Sequence, residues 1–257
     1  MEYITIQGAR VPAIGFGTAR LNGESGRESV RHAIELGYRH LDTAQAYGNE
    51  REVGEAIRDS GVPRDDLFVT TKIARGELVG DRVGPATDES LRRLGLDYVD
   101  LLLIHFPSED VPLKVTLDAM VEQKDAGKVR HIGVSNFRSA LLEEAMAHTQ
   151  IFANQVPYQA GRTQRGLCEM ARTRDVMLTA YSPLRGRGSG DETIEAIGSA
   201  HGKSAAQVVL RWLLQQANVV PIPRSSNPEH RAANLDVFDF ALTDDDMTRI
   251  HALANPT

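Results

Sequence analysis

The chain lacks most features of a secreted, membrane-spanning or nucleic-acid-binding protein. One cysteine, Cys168, stands among 257 residues, so neither an internal disulfide nor a thiolate metal cluster can form. That usage leads to the expectation of a reducing, cytoplasmic compartment. The opening Met1-Glu2-Tyr3-Ile4 is not basic and then apolar, and no export leader is expected. An excess of positive charge is missing as well. Lys and Arg number 29 against 35 Asp and Glu, a net charge of −6 that offers no basic field to a run of phosphates. Long apolar runs are absent: Leu101 to Ile104 falls far short of the roughly 20 residues that cross a bilayer. No His-Glu-x-x-His spacing points to a metal. With no linker, repeat or composition shift, residues 1–257 read as one domain with ample chain for a buried core.

What is present is an alternation of apolar, β-rich runs with charge-bearing helical stretches. Strand-like runs fall at Ala13–Gly17, Arg39–Asp42, Leu67–Lys72, Val99–His105, Val129–Ser135, Ile151–Gln155, Val176–Tyr181 and Val219–Pro223. Helical stretches follow them at Arg27–Leu36, Glu50–Asp59, Val83–Leu94, Leu113–Ala126, Ser139–Ala147, Leu167–Arg174, Ile194–His201 with Ala205–Gln216, and Pro228–Asn234. The run Tyr98 to Ile104 is nearly all apolar rather than alternating, as parallel strands covered on both faces require. About eight strand-helix units in ~250 residues predict an α/β fold, a (β/α)8 TIM barrel. Tyr3–Ile6 and Ala9–Pro12 around Gln7-Gly8 read as an N-terminal β-hairpin capping its floor.

Reactive groups in such barrels lie at the carboxyl ends of the strands. Here those ends carry Asp42, Lys72, His105, Ser135-Asn136, Gln155, Tyr181-Ser182 and Arg224-Ser225, with Tyr47 in the loop after Asp42. Any one of these alone is more often a solvated loop residue; together they converge on one rim. A tyrosine is a poor acid near neutral pH, but an ammonium within a few Å stabilises its phenolate. Lys72 is placed to supply that charge, Asp42 to keep Lys72 protonated, and His105 to donate a hydrogen bond to a carbonyl oxygen. The set suits proton donation to a carbonyl that becomes an alkoxide. Hydride must then come from a cofactor.

A nicotinamide site is legible beside it. Ser135, Asn136 and Gln155 carry hydroxyl and amide groups for a carboxamide, and Tyr181 offers a flat face for the ring. Arg224-Ser225-Ser226-Asn227-Pro228 sets cationic and hydroxyl groups at a helix start, with Asn227 as cap, Pro228 at the first position, and amides expected to face an anion. Gly15-Phe16-Gly17-Thr18 lacks the further glycine spacing of a Rossmann turn.

These residues, in this order, resemble the aldo-keto reductases along essentially the whole chain. The resemblance rests on Gly37-Tyr38-Arg39-His40-Leu41-Asp42-Thr43-Ala44-Gln45-Ala46-Tyr47-Gly48-Asn49-Glu50, then Val69-Thr70-Thr71-Lys72, Leu103-Ile104-His105, Ile132-Gly133-Val134-Ser135-Asn136-Phe137, Asn154-Gln155 and Tyr181-Ser182-Pro183-Leu184. It is nearest to short bacterial members acting on 2,5-diketogluconate, methylglyoxal and other small carbonyls. The resemblance implies Tyr47 as general acid tuned by Lys72 and Asp42, with His105 orienting the carbonyl and Phe106 beside the substrate. It implies NADPH as cofactor, held by Gly17, Thr18, Asp42, Ser135, Asn136, Gln155, Tyr181, Ser182, Pro183 and Leu184. Arg224, Ser225, Ser226, His230 and Asn234 would take the adenosine end. A monomer is the family's usual state and the expectation here.

Three departures from the family pattern matter: the residue after His105, the phosphate pocket and the tail. Phe106 stands where Trp is usual, losing the indole donor. Arg224 stands where Lys is usual and permits a bidentate grip on phosphate. His230 stands where Arg is usual, so the 2′-phosphate loses one dependable cation, and NADPH preference with ready use of NADH is expected. After a last helix at Asp244–Leu253, Ala254 to Thr257 make a very short tail, which predicts an open pocket and loose substrate selection.

Two competing readings are an aldolase with Lys72 as Schiff base and a non-catalytic nicotinamide-binding sensor or partner subunit on the same barrel. His32, His40, His131, His148 and His251 read as structural or solvated, Trp212 as core, and Cys168 as a small buried side chain rather than a nucleophile. Arg185 to Gly190 reads as a flexible loop near the cofactor.

Overall fold

The computed structural model describes residues 1–162, 164–186 and 190–254. The tail beyond Ala254 and residues 187–189 of the loop after Tyr181 lie outside them. β1 (Tyr3–Ile6) and β2 (Ala9–Pro12) pair antiparallel around Gln7 and Gly8, both in the left-handed region at φ 48° and 81°. Gln7 pins the hairpin to the barrel: its amide donates to Asp175 Oδ2 at 2.7 Å and its side chain to the Ile151 carbonyl at 2.9 Å.

The rest of the chain alternates as expected. β3 (Phe16–Gly17), β4 (His40–Asp42), β5 (Phe68–Ile73), β6 (Val99–Ile104), β7 (Val129–Ser135), β8 (Ala153–Pro157), β9 (Met177–Tyr181) and β10 (Val219–Ile222) lie side by side in chain order, every adjacent pair parallel. Between and after them come α1 (Gly23–Leu36), α2 (Glu50–Ser60), α3 (Gly80–Leu94), α4 (Leu113–Asp125), α5 (Ser139–His148), α6 (Arg165–Arg174), α7 (Glu192–His201), α8 (Ala205–Leu214), α9 (Pro228–Leu235) and α10 (Asp244–Ala252). This is the (β/α)8 barrel. The ring closes where Gly15 N–H donates to Pro221 O at 2.9 Å and Gly17 N–H to Pro223 O at 3.1 Å.

That seam corrects the reading of Ala13–Gly17 as a full strand. Only Phe16 and Gly17 pair with β4, while on the other edge Gly15 and Gly17 donate across the seam to Pro221 and Pro223. A Cβ on Gly15 would meet the His40 ring at 2.8 Å, and one on Gly17 the Ile222 carbonyl at 2.9 Å. The two glycines are what let β3 and β10 approach.

Continuous apolar strands resolve into two layers. Leu101 and Leu103 face inward with Phe68, Phe152, Met177 and Val220, and Ile6 and Val11 of the hairpin complete that cluster. Leu102 and Ile104 face outward against the helices. At roughly 1.5–3 kcal/mol for each fully buried aliphatic or Phe side chain, both layers are needed to offset chain ordering. Among the described residues, no helix is long and apolar enough to cross a membrane.

Candidate active site at the carboxyl end of the barrel

β4 ends in Asp42 and β5 carries Lys72, and inward-facing alternation puts both side chains in the barrel mouth, 1% and 0% exposed. Tyr47 closes a 3-10 turn, Gln45–Tyr47, that Gly48 terminates at φ 68°. Lys72 Nζ donates to Asp42 Oδ1 at 2.5 Å, to the Thr43 carbonyl at 2.8 Å and to the Tyr47 hydroxyl at 3.2 Å. His105 follows β6, its ring edge-on to Tyr47 with centroids 5.6 Å apart. Phe106, 44% exposed, stacks on His105 at 4.9 Å. The structure thus brings the sequence-predicted Asp42, Tyr47, Lys72, His105 and Phe106 together.

Charges in this cluster follow from burial and from Asp42. Burial alone opposes the Lys72 ammonium, yet the Asp42 carboxylate and the Tyr47 oxygen together raise its pKa above the ordinary lysine value. Burial pushes His105 down to about 4, with the Lys72 charge acting in the same direction, so its ring is neutral near pH 7. Tyr47 departs from the expectation that Lys72 lowers it. Burial dominates, Lys72 pulls the other way, Asp42 adds to the rise, and the phenol lies above its ordinary value. The phenol of Tyr47 is therefore a proton donor rather than a phenolate near neutral pH.

The amide-bearing residues are committed to one another. Gln155 donates to Asp42 Oδ2 at 2.6 Å. Ser135 Oγ donates to the Gln155 carbonyl at 2.9 Å, while Asn136 Nδ2 donates to Ser135 Oγ and to the His105 carbonyl, both at 3.0 Å. The Tyr181 hydroxyl closes the chain by donating to Asn136 Oδ1 at 2.9 Å. A cleft of about 250 Å³ runs from Asp42 and Tyr47 past Tyr181 and Gly17 to Arg224, with Ser182, Pro183 and Leu184 along one wall. Thr18 is buried beside it, its hydroxyl donating to the Asp42 carbonyl at 2.9 Å.

Farther out, Ser225, Ser226, His230 and Asn234 do not line that cleft. Arg224, Ser226 and His230 are exposed, and Asn234 is buried. Asn227 caps α9 as the sequence predicts, but its Oδ1 takes the Glu229 and His230 amides at 2.8 and 3.4 Å. Those amides are thus not left facing an anion, contrary to expectation, because the cap that starts the helix satisfies them itself.

Sequence reasoning missed two participants, Arg20 and Asn49. Arg20 lines the cleft together with Arg185 of the loop read as lying near the cofactor. Asn49, fully buried, accepts from Thr43 Oγ1 at 2.8 Å and donates to the carbonyls of Thr18 and Leu21, both at 2.8 Å. It fastens the loop bearing Tyr47 to the loop bearing Arg20. Its position two residues after Tyr47 is visible in the sequence; its carbonyl partners Thr18 and Leu21, 31 and 28 residues upstream, are not.

His40, His148 and Cys168 do not line the cleft. His40 is fully buried with Nε2 against Thr70 Oγ1 at 3.1 Å, and burial holds it down to about 3. His148 pairs with Asp118 at 2.7 Å. Trp212 is core; Cys168 is only half-buried, packed against the edge of the core rather than within it as expected, and that partial burial still raises its thiol, the opposite of activation.

Lys72 decides between the reductase and the aldolase readings of this rim. An ammonium with no exposure, held by three oxygens, is no free amine for a Schiff base, and the phenol it touches makes the rim that of an oxidoreductase. The model of the aldo/keto reductase family matches residues 13–255, and the chain belongs to that family. It is 41% identical over 250 residues to a glyoxal reductase of Bacillus subtilis, covering 96% of this chain and 90% of the relative. A solved structure assigned as a 2,5-diketo-D-gluconic acid reductase B superposes with TM-score 0.96 at 44% identity, covering 100% of this chain and 92% of that one. A Bombyx mori aldo-keto reductase in complex with NADP superposes with TM-score 0.91 at 34% identity, covering 98% of this chain and 92% of that one.

Proposed function

We propose that the protein reduces aldehydes and ketones, small dicarbonyls and keto-sugars foremost, to alcohols with NADPH, with Tyr47 as proton donor. The contact of Lys72 Nζ with the Tyr47 hydroxyl at 3.2 Å carries this reading. The donor set fits a nicotinamide dinucleotide: one cleft joins the Tyr47 hydroxyl to the Arg224 guanidinium, with the Tyr181 ring as a flat wall between them. Support for NADP comes also from the Bombyx mori relative.

In this reading Tyr181, Ser135, Asn136 and Gln155 hold the nicotinamide end, with Ser182 to Leu184, Gly17 and Thr18 beside it. Arg224, Ser225, Ser226, His230 and Asn234 serve the adenosine end. When bound, the reduced nicotinamide supplies the hydride for the carbonyl carbon. His105, neutral near pH 7, donates one N–H to the carbonyl oxygen and orients it. As that oxygen becomes an alkoxide, Tyr47 gives up its phenolic proton. The phenolate left behind is stabilised by the Lys72 ammonium, which Asp42 keeps charged.

Consumption of NADPH and NADH across a panel of small dicarbonyls, keto-sugars and aromatic aldehydes tests this. Reduction of several of them is expected, with NADPH preferred by less than a thousandfold because His230 replaces a fixed cation. A larger preference contradicts the role given to His230, and no turnover of any carbonyl contradicts the function.

A further inference from the structure

Beneath the loop that carries Arg224, Ser225 and Ser226 lies a cation that the roles above do not use. Arg231, in α9, is only 5% exposed, and among the described residues it forms no ion pair, the Glu28 carboxylate acting on it only at longer range. Its Nη1 donates to the carbonyls of Ser225 at 3.2 Å and Ser226 at 3.0 Å, and its Nε to His32 Nδ1 of α1 at 3.2 Å. The residue is itself fixed. Its carbonyl accepts from the Tyr38 hydroxyl at 3.1 Å, and its amide donates to the Asn227 carbonyl at 3.1 Å. Burying a guanidinium without a carboxylate partner is costly, and an aliphatic side chain would fill the same helix face without that cost. Its partners are two peptide carbonyls of the loop at the adenosine end.

We propose that Arg231 is a positioning residue for recognition of the 2′-phosphate of NADPH, which rests on the cofactor reading above. Across a trans peptide the N–H points opposite to the preceding carbonyl. With the Ser225 carbonyl turned down onto the guanidinium, the Ser226 N–H turns away from it, on a residue that is exposed. The next amide, that of Asn227, is taken by Ser225 Oγ at 3.1 Å, and those of Glu229 and His230 by the Asn227 cap. The Ser226 amide, the Ser226 hydroxyl and the Arg224 guanidinium are therefore the donors this loop presents to a phosphate. Arg231 sets their orientation by holding the backbone from below, and its own buried charge is weakly screened there. Arg231 thus supports 2′-phosphate recognition where His230 offers no fixed cation.

Binding of NADPH, NADH and 2′,5′-ADP to the full chain and to Arg231→Met and Arg231→Lys tests this at one ionic strength. Arg231→Met is expected to weaken NADPH and 2′,5′-ADP by about tenfold or more, the cost of a mispositioned charge-assisted contact, and NADH by less than about threefold. Arg231→Lys keeps the charge with fewer fixed donors, and about a threefold loss for NADPH is expected. It carries the test if Arg231→Met does not fold. Equal weakening of NADPH and NADH, which a merely structural role produces, overturns the proposal, as does no change in either. A parent chain that binds neither dinucleotide overturns the cofactor reading together with this one; a parent that binds both, with variants unchanged, overturns this one alone.

Discussion

Gln155 donates its side-chain amide to Asp42 Oδ2 at 2.6 Å, on the opposite carboxylate oxygen from the one that receives Lys72. Both oxygens of a carboxylate that is 1% exposed are thereby satisfied. Gln155 is thus a support of the proton-donating cluster as well as a candidate cofactor contact. It ties β8 to β4 across the barrel mouth.

Gln155→Leu leaves Asp42 Oδ2 buried without its donor, which costs about 1–3 kcal/mol and frees the carboxylate to turn from Lys72. Denaturant unfolding should show that loss, and kcat should fall about tenfold. An unfolding midpoint equal to the parent's would mean that the bond carries no stability.

Asn49 joins the Tyr47 loop to the loop carrying Arg20, so its removal should disturb proton donation and cofactor binding together. Asn49→Asp keeps the bond from Thr43 Oγ1 and loses both donations, to Thr18 and Leu21. About 2–3 kcal/mol of stability should be lost, with kcat lowered and the KM for NADPH raised. A variant that shifts only the melting temperature would restrict Asn49 to a structural role.

The site was largely legible because barrel geometry and chain order do most of the work. Once the strands were delimited, their last inward residues named Asp42, Lys72, His105, Ser135, Gln155 and Tyr181, which the structure places around the barrel mouth. Side-chain partners were not legible. Asn49 and Arg231 read as ordinary residues in or beside a helix until the loops they hold are folded against them. Boundaries slipped where local propensity and packing disagree. α3 starts at Gly80 rather than near Val83 and runs through Gly84 and Pro85, poor helix formers, while Val83, Ala86 and Leu91 bury their side chains in the core. The rise in the Tyr47 pKa was also hidden, because it depends on how completely the ring is covered.

Acid sensitivity follows from two buried histidines. His40 and His105 titrate at about 3 and about 4 in the folded chain against an ordinary value near 6.5. Between those values the unfolded state binds the extra protons. Stability is therefore fully present above pH 6.5 and falls as pH drops toward 4, by up to about 1.4 kcal/mol per pH unit for each group. Unfolding free energy measured from pH 7.5 to 4.5 should be shallower in His40→Asn by about one proton. Identical slopes would show that His40 is not buried in the neutral form. The pH profile of carbonyl reduction should likewise show no inflection near 6.5, because His105 stays neutral there.

Proton donation by Tyr47 is separated from cofactor binding by replacing the hydroxyl alone. Tyr47→Phe keeps the ring against His105 and the Asp42–Lys72 pair. NADPH titrated into the variant should bind within a fewfold of the parent, while kcat for a small dicarbonyl falls by about 10²–10⁴, the usual worth of a positioned general acid. Reduction at the parent rate, with NADPH binding intact, would remove Tyr47 from the chemistry and leave the proton to another donor.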